Sequence, residues 1–83
     1  MYKNKAHDGR NNICGRMIKK FRTEAEEKIS QRMLADMLQI EGLDLDKNAI
    51  QRIESGQRFI TDIELKVIAK VLNVSYKQLF DEK

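Results

Sequence analysis

Apolar residues become periodic only after the first eleven positions of the chain. Residues 1–11 are polar and without period, and are expected to form a flexible basic tail. From there Ile13, Met17, Ile18, Phe21 and Ala25 recur at spacings of three and four, which describes one face of a helix. Asn11 or Asn12 is placed to cap its start, and the acidic residues within 24–27 should end it. Ser30 caps a second helix that opens at Gln31. Leu34, Ala35 and Leu38 face inward on it, and Met33 and Met37 widen the stripe. Residues 39–46, with Gly42 among them, read as a connection from which Ile40, Leu43 and Leu45 should pack onto the core. Asp46 caps a third helix with Ala49, Ile50 and Ile53 inside, and Gly56 should end it in the left-handed conformation. Thr61 and Glu64 match a capping box, so a fourth helix starts near Asp62. Its inner face is Leu65, Ile68, Ala69 and Leu72, and Asn73 stops it. Ser75 and Gln78 repeat the box and open a short fifth helix anchored by Val74, Leu79 and Phe80. The pattern predicts an all-α, compact five-helix domain over residues 12–83.

Composition narrows the picture. Eighty-three residues make one small domain, and 41% hydrophobic residues suffice for one modest core. The single cysteine excludes an internal disulfide and a cysteine-built metal site, which points to a reducing, cytoplasmic setting. No apolar run approaches the roughly 18 residues of a membrane span, and no signal-peptide pattern is present. The formal charge of +3 is unevenly spread. Residues 1–22 hold seven Lys and Arg against Asp8 alone, whereas residues 23–46 hold two basic against seven acidic residues. Such blocks suggest one face for a polyanion and another for solvent.

The second and third helices carry the functional signal. Both are short and are joined by a glycine-containing connection, and the small Ala35 lets their axes approach, as a helix-turn-helix requires. The third helix presents Lys47, Asn48, Gln51 and Arg52 opposite its apolar face. Arg hydrogen-bonds guanine bidentately, and Asn or Gln does so with adenine, so this set fits base edges in a major groove. A merely solvated helix face has the same composition.

The runs ISQRMLADML, NAIQRIESGQRFI and LKVIAKVLNVSYKQLF resemble the Xre/Cro, or lambda-repressor-like, helix-turn-helix family. The matching positions are Gln31, Leu34, Ala35, Ile50, Ile53, Glu54, Gly56, Leu65 or Ile68, Ala69, Leu72, Val74, Leu79 and Phe80. The resemblance spans residues 13–80. Two departures stand out: extra residues around 25–28, and a connection around Gly42 about five residues longer than the tight turn of the motif. An enlarged inter-helix loop is therefore expected.

Aligned backwards from Glu54 and Gly56, the resemblance implies base contacts from Lys47, Asn48 and Arg52, with Gln51 next. It implies phosphate contacts from Ser30 and Gln31, where helix-start amides and the helix dipole favour an anion, and from Gln57 and Arg58 after the third helix. It also implies a structural ion pair between Arg22 and Glu54, since an acid beside a DNA face is unfavourable unless paired.

Other signals are weaker. Asp44, Asp46 and Asn48 mimic the opening of a calcium loop, but Ala49 and Ser55 stand where the loop needs Gly and Glu, so no metal is expected. His7 is a lone histidine, Cys14 a small boundary or core residue. With neither a Gly-rich phosphate loop nor a nucleophile–base–acid set, catalysis has no foothold and no cofactor or small-molecule ligand is expected. Lys3, Lys5 and Arg10 form either an arm to the DNA backbone or minor groove, or a solubilising tail. A second apolar row, Ile60, Ile63, Val67 and Val71, is either covered by the fifth helix or left as a dimer surface. The expected function is a sequence-specific regulator, a repressor, that binds a palindromic operator in double-stranded DNA as a homodimer. The alternatives are a protein-interaction module of the same fold, antitoxin-like or accessory, and an RNA-binding or nonspecific nucleoid protein.

Overall fold

The computed structural model describes residues 5, 6 and 8–80. Five helices follow one another in it: α1 (Gly15–Thr23), α2 (Gln31–Ile40), α3 (Lys47–Ser55), α4 (Asp62–Leu72) and α5 (Tyr76–Leu79). No strand occurs among the described residues.

The helix starts follow from side chains that satisfy first-turn amides, which have no partner inside a helix. The Ser30 hydroxyl accepts from the Met33 amide at 3.0 Å and the Asp46 carboxylate from the Ala49 amide at 2.7 Å. Thr61 with Glu64, and Ser75 with Gln78, form reciprocal capping boxes. The stops are equally local. Gly56 and Asn73 adopt left-handed φ values of 86° and 56°. After each, two amides fold back onto carbonyls of the helix just ended: Gly56 N to Ile53 O and Gln57 N to Arg52 O, then Asn73 N to Lys70 O and Val74 N to Ala69 O. Gly42 N and Leu43 N return to Gln39 O and Leu38 O in the same way, so the connection over residues 41–46 starts from an ordered turn.

α1 begins at Gly15, not at Ile13. The Asn12 side chain takes the Gly15 amide at 2.8 Å, while its own Nδ2 donates to the Ile53 carbonyl of α3 and to the Arg58 carbonyl of the loop after it. Gly15 also lies at a close approach of α1 to α3. A Cβ there would lie 2.1 Å from the Ile53 carbonyl oxygen, so no larger residue fits without moving a helix.

The core joins Cys14 and Ile18 of the α1 end, Leu34 and Leu38 of α2, Ile50 and Ile53 of α3, Ile68 of α4 and Leu79 of α5, each almost fully buried. α1 packs on α3, α4 and α5, and α2 packs on α3 and α4. The apolar expectations need correction at Ile40, Met33 and Phe80, and the second row of α4 turns out only partly covered. Ile40 is 83% exposed, because α2 continues through Gln39 and Ile40 and turns that side chain outward; Leu43 and Leu45 make the core contacts of this segment. Met33 lies on the outer side of the α2 stripe and is exposed. In the second row of α4, Ile60, Val67 and Val71 are partly covered, but Ile63 is 70% exposed, since the single turn of α5 leaves it open. Phe80 also remains exposed, and Leu79 alone anchors α5 deeply.

Candidate nucleic-acid interface

α3 has two unlike sides. Ala49, Ile50 and Ile53 are buried in the core, and Lys47, Asn48, Gln51 and Arg52 are all exposed on the other. The 41–46 connection leaves that polar side uncovered; Leu45 turns into the core and Asp46 is engaged by the Ala49 amide. The helix thus turns two cations and two amide side chains to solvent, with its start and stop set by the caps at Asp46 and Gly56.

Each end of α3 faces an open hollow. At the C-terminal end the hollow gathers Arg52, Gln57 and Arg58 with Phe59, Thr61 and Glu64. The base-reading candidate and both loop candidates for phosphate therefore meet there. Arg58 enters it already paired: Nη1 and Nη2 donate to the two Glu64 oxygens at 3.0 and 2.9 Å. The hydrogen-bonded guanidinium holds the Glu64 carboxyl below its ordinary 4.5. At the N-terminal end, Lys47 shares a hollow with Arg32, Ala35, Asp36, Gln39, Asp44, Leu45 and Asp46. Arg32 is exposed there and was not singled out in the sequence, although its basic side chain on the polar face of α2 was visible. The three carboxylates around it make this end the less positive of the two.

A buried network ties the start of α2 to α3. Arg22 Nε and Nη2 donate to the Glu54 carboxylate at 2.7 and 2.8 Å, with 9% and 3% of the two side chains exposed. Arg22 Nη1 also donates to the Ile29 carbonyl at 2.9 Å. Gln31 Nε2 adds a third bond to Glu54 at 2.9 Å. The structure thus brings Arg22, Gln31 and Glu54 together, and places the exposed Ser30 beside them at the first turn of α2. Among the described residues Arg22 is the one buried cation, and it compensates Glu54, the one buried carboxylate.

The tail assigned to residues 1–11 does not end cleanly at residue 11. Arg10 Nη2 donates to the Glu54 carbonyl at 2.7 Å, and Asn11 Nδ2 to the Gln57 carbonyl at 2.8 Å. No hydrophobic period marks these polar contacts, so pattern analysis misses them. Lys3 and His7 lie outside the described residues. Cys14 is buried, which pushes its thiol above the ordinary value and makes it a poor nucleophile.

With this geometry in hand, the pattern of the helix-turn-helix family matches residues 18–79, most of the chain and all of the elements that build the interface. The chain belongs to the Xre/lambda-repressor-like helix-turn-helix family. No curated protein and no solved structure matches it. As a member of this family it is a DNA-binding helix-turn-helix regulator. The helix-turn-helix comprises α2 and α3, joined by residues 41–46. The family is regulatory, not typically enzymatic. No described helix is long and apolar enough to cross a membrane.

Proposed function

We propose that this regulator reads a specific sequence by placing α3 in the major groove of double-stranded DNA, with Lys47, Asn48, Gln51 and Arg52 on base edges. Ser30 and Gln31 at the start of α2 hold one phosphate strand. Gln57 and Arg58 hold the other, Arg58 extending from the position in which Glu64 orients it. The protein acts as a repressor in the cytoplasm, as a homodimer on a palindromic operator, because one module of this size makes too few base contacts to select a site alone.

The observation that carries this reading is the exposure of the whole polar side of α3 on a helix whose other side is core. The convergence of Arg52, Gln57 and Arg58 on one hollow adds to it. Selection of bound duplexes from a random library tests it. A defined, two-fold symmetric motif is the expected result; recovery of unselected sequence would end the sequence-specific reading.

A second reading has its own support. Ile40 and Ile63 are large apolar residues left 83% and 70% exposed on α2 and α4. In a protein-interaction module this surface would be the working one. That reading requires tight, salt-insensitive binding of a protein and no affinity for any duplex.

A further inference from the structure

Arg10 lies in a slot between two glycines. A Cβ on Gly56 would come within 2.8 Å of Arg10 Cγ, Cζ and Nε, and a Cβ on Gly15 within 2.9 Å of Arg10 Nη2. From this slot Nη2 reaches the Glu54 carbonyl at 2.7 Å. That carbonyl belongs to the last turn of α3, where backbone oxygens lack helical partners and the helix dipole is negative, so a cation is well placed.

The next two residues continue the attachment. Asn11 N donates to the Gly56 carbonyl at 2.8 Å and Asn11 Nδ2 to that of Gln57 at 2.8 Å. Asn12 Nδ2 donates to the carbonyls of Ile53 at 2.9 Å and Arg58 at 2.8 Å. Residues 10–12 thereby engage the carbonyls of Ile53, Glu54, Gly56, Gln57 and Arg58. Over residues 57–59 the loop has no apolar anchor: Gln57 and Phe59 are exposed and Arg58 is only half-buried, and Ile60 beyond them is the first side chain to pack on the core. Its course is therefore set by polar bonds: the Gln57 and Arg58 amides return to the Arg52 carbonyl, the Arg58 side chain pairs with Glu64, and the carbonyls of Gly56, Gln57 and Arg58 are held by this short segment before α1.

We propose that residues 10–12 are a positioning clamp for the DNA-contacting end of α3 and the loop after it, and that Arg10 is its central positioning residue. Arg10 acts through the backbone of residues 54–58 and does not touch DNA. The inference rests on the proposed phosphate role of Gln57 and Arg58.

The test compares the intact protein with Arg10→Ala, Arg10→Lys and Lys5→Ala. Affinity for a selected duplex is measured across a salt series, at a temperature where circular dichroism shows every variant folded. Amide hydrogen exchange is followed on the free proteins. Arg10→Ala should lose about tenfold in affinity, the order of one misplaced contact, while its salt slope stays that of the parent. Exchange at the Gln57 and Arg58 amides should quicken, with the amides of α2 unchanged. Arg10→Lys should not restore binding, since a single ammonium cannot fill the slot between the glycines; Lys5→Ala should leave both exchange and affinity near the parent's values. A salt slope lower by about one, rescued by lysine, would mean that Arg10 touches a phosphate and would overturn the clamp. Unchanged affinity in a folded Arg10→Ala would overturn it too. If the parent binds no duplex, the proposed function fails, and exchange at Gln57 and Arg58 alone decides the clamp: faster exchange upholds it, unchanged exchange removes it.

Discussion

The Glu54 carboxylate accepts two hydrogen bonds from Arg22 and one from Gln31, in a site with almost no access to water. Removing one partner strands a charge, so Arg22→Ala is expected to lower unfolding free energy by about 3 kcal/mol. Denaturant titration reads this directly, and a loss below about 1 kcal/mol, typical of exposed pairs, would show that the pair is screened. Replacing both partners with apolar residues of similar volume should recover most of the loss, since the pair's own desolvation is then avoided. On the exposed side the expectation is different. Arg52→Ala should leave the melting temperature nearly unchanged and cost about 1–3 kcal/mol on the selected duplex, with relaxed preference at one base pair. Equal weakening on all duplexes would remove Arg52 from the base-reading set. Arg22 and Glu54 were legible as a pair through the resemblance, because both stand at positions with a family counterpart. Arg10 was not legible: a cation laid on helix-end carbonyls leaves no trace in hydrophobic periodicity. Gly15 was equally silent, as its need for a bare Cα arises from the close approach of the Ile53 carbonyl and of the Asn12 and Arg10 side chains.

At the level of elements, the boundaries readable from sequence were those with a chemical marker at the end. Ser30, Asp46, Thr61 and Ser75 each accept from the amide three residues on, and Gly56 and Asn73 turn left-handed where α3 and α4 stop. The start of α1 was less legible because Asn12 serves two elements at once, taking the Gly15 amide while donating to α3 and its loop. Ile40 was misjudged for a related reason: two further helical residues past Leu38 rotate it from core to solvent. The start of α4 carries a pH dependence. Glu64 accepts from Arg58 and from the Thr61 amide, and its carboxyl is held below 4.5. A carboxylate depressed by folding contributes stability that is complete above its unfolded value and is lost as pH falls through the folded one. The melting temperature should therefore fall as pH drops from about 4.5 downward, and Glu64→Gln should flatten that part of the profile while lowering stability at neutral pH. An unchanged profile in Glu64→Gln would place the acid sensitivity elsewhere.

For the whole molecule, charge and apolar exposure divide the surface by task. The C-terminal end of α3 is cationic, the N-terminal end is fringed by Asp36, Asp44 and Asp46, and the exposed Ile40 and Ile63 sit on α2 and α4. If two copies read a palindrome, titration of the selected duplex should saturate at two chains per site, with half-sites one helical turn, about 34 Å, apart. Saturation at one chain would leave the protein a monomeric reader. The sequence argues for a pair only from the few base contacts of one module; it does not show which apolar residues are exposed, because an exposed isoleucine and a buried one have the same periodicity. One consequence follows from the Arg22–Glu54–Gln31 bonds. They are complete in the free protein, so the angle between α2 and α3 is settled when the chain folds. Meeting a duplex then resembles the seating of a stiff key: the freedom surrendered on contact lies mainly in the long side chains on the outside of α3 and in the loop after it, and the angle between the two helices contributes little further loss.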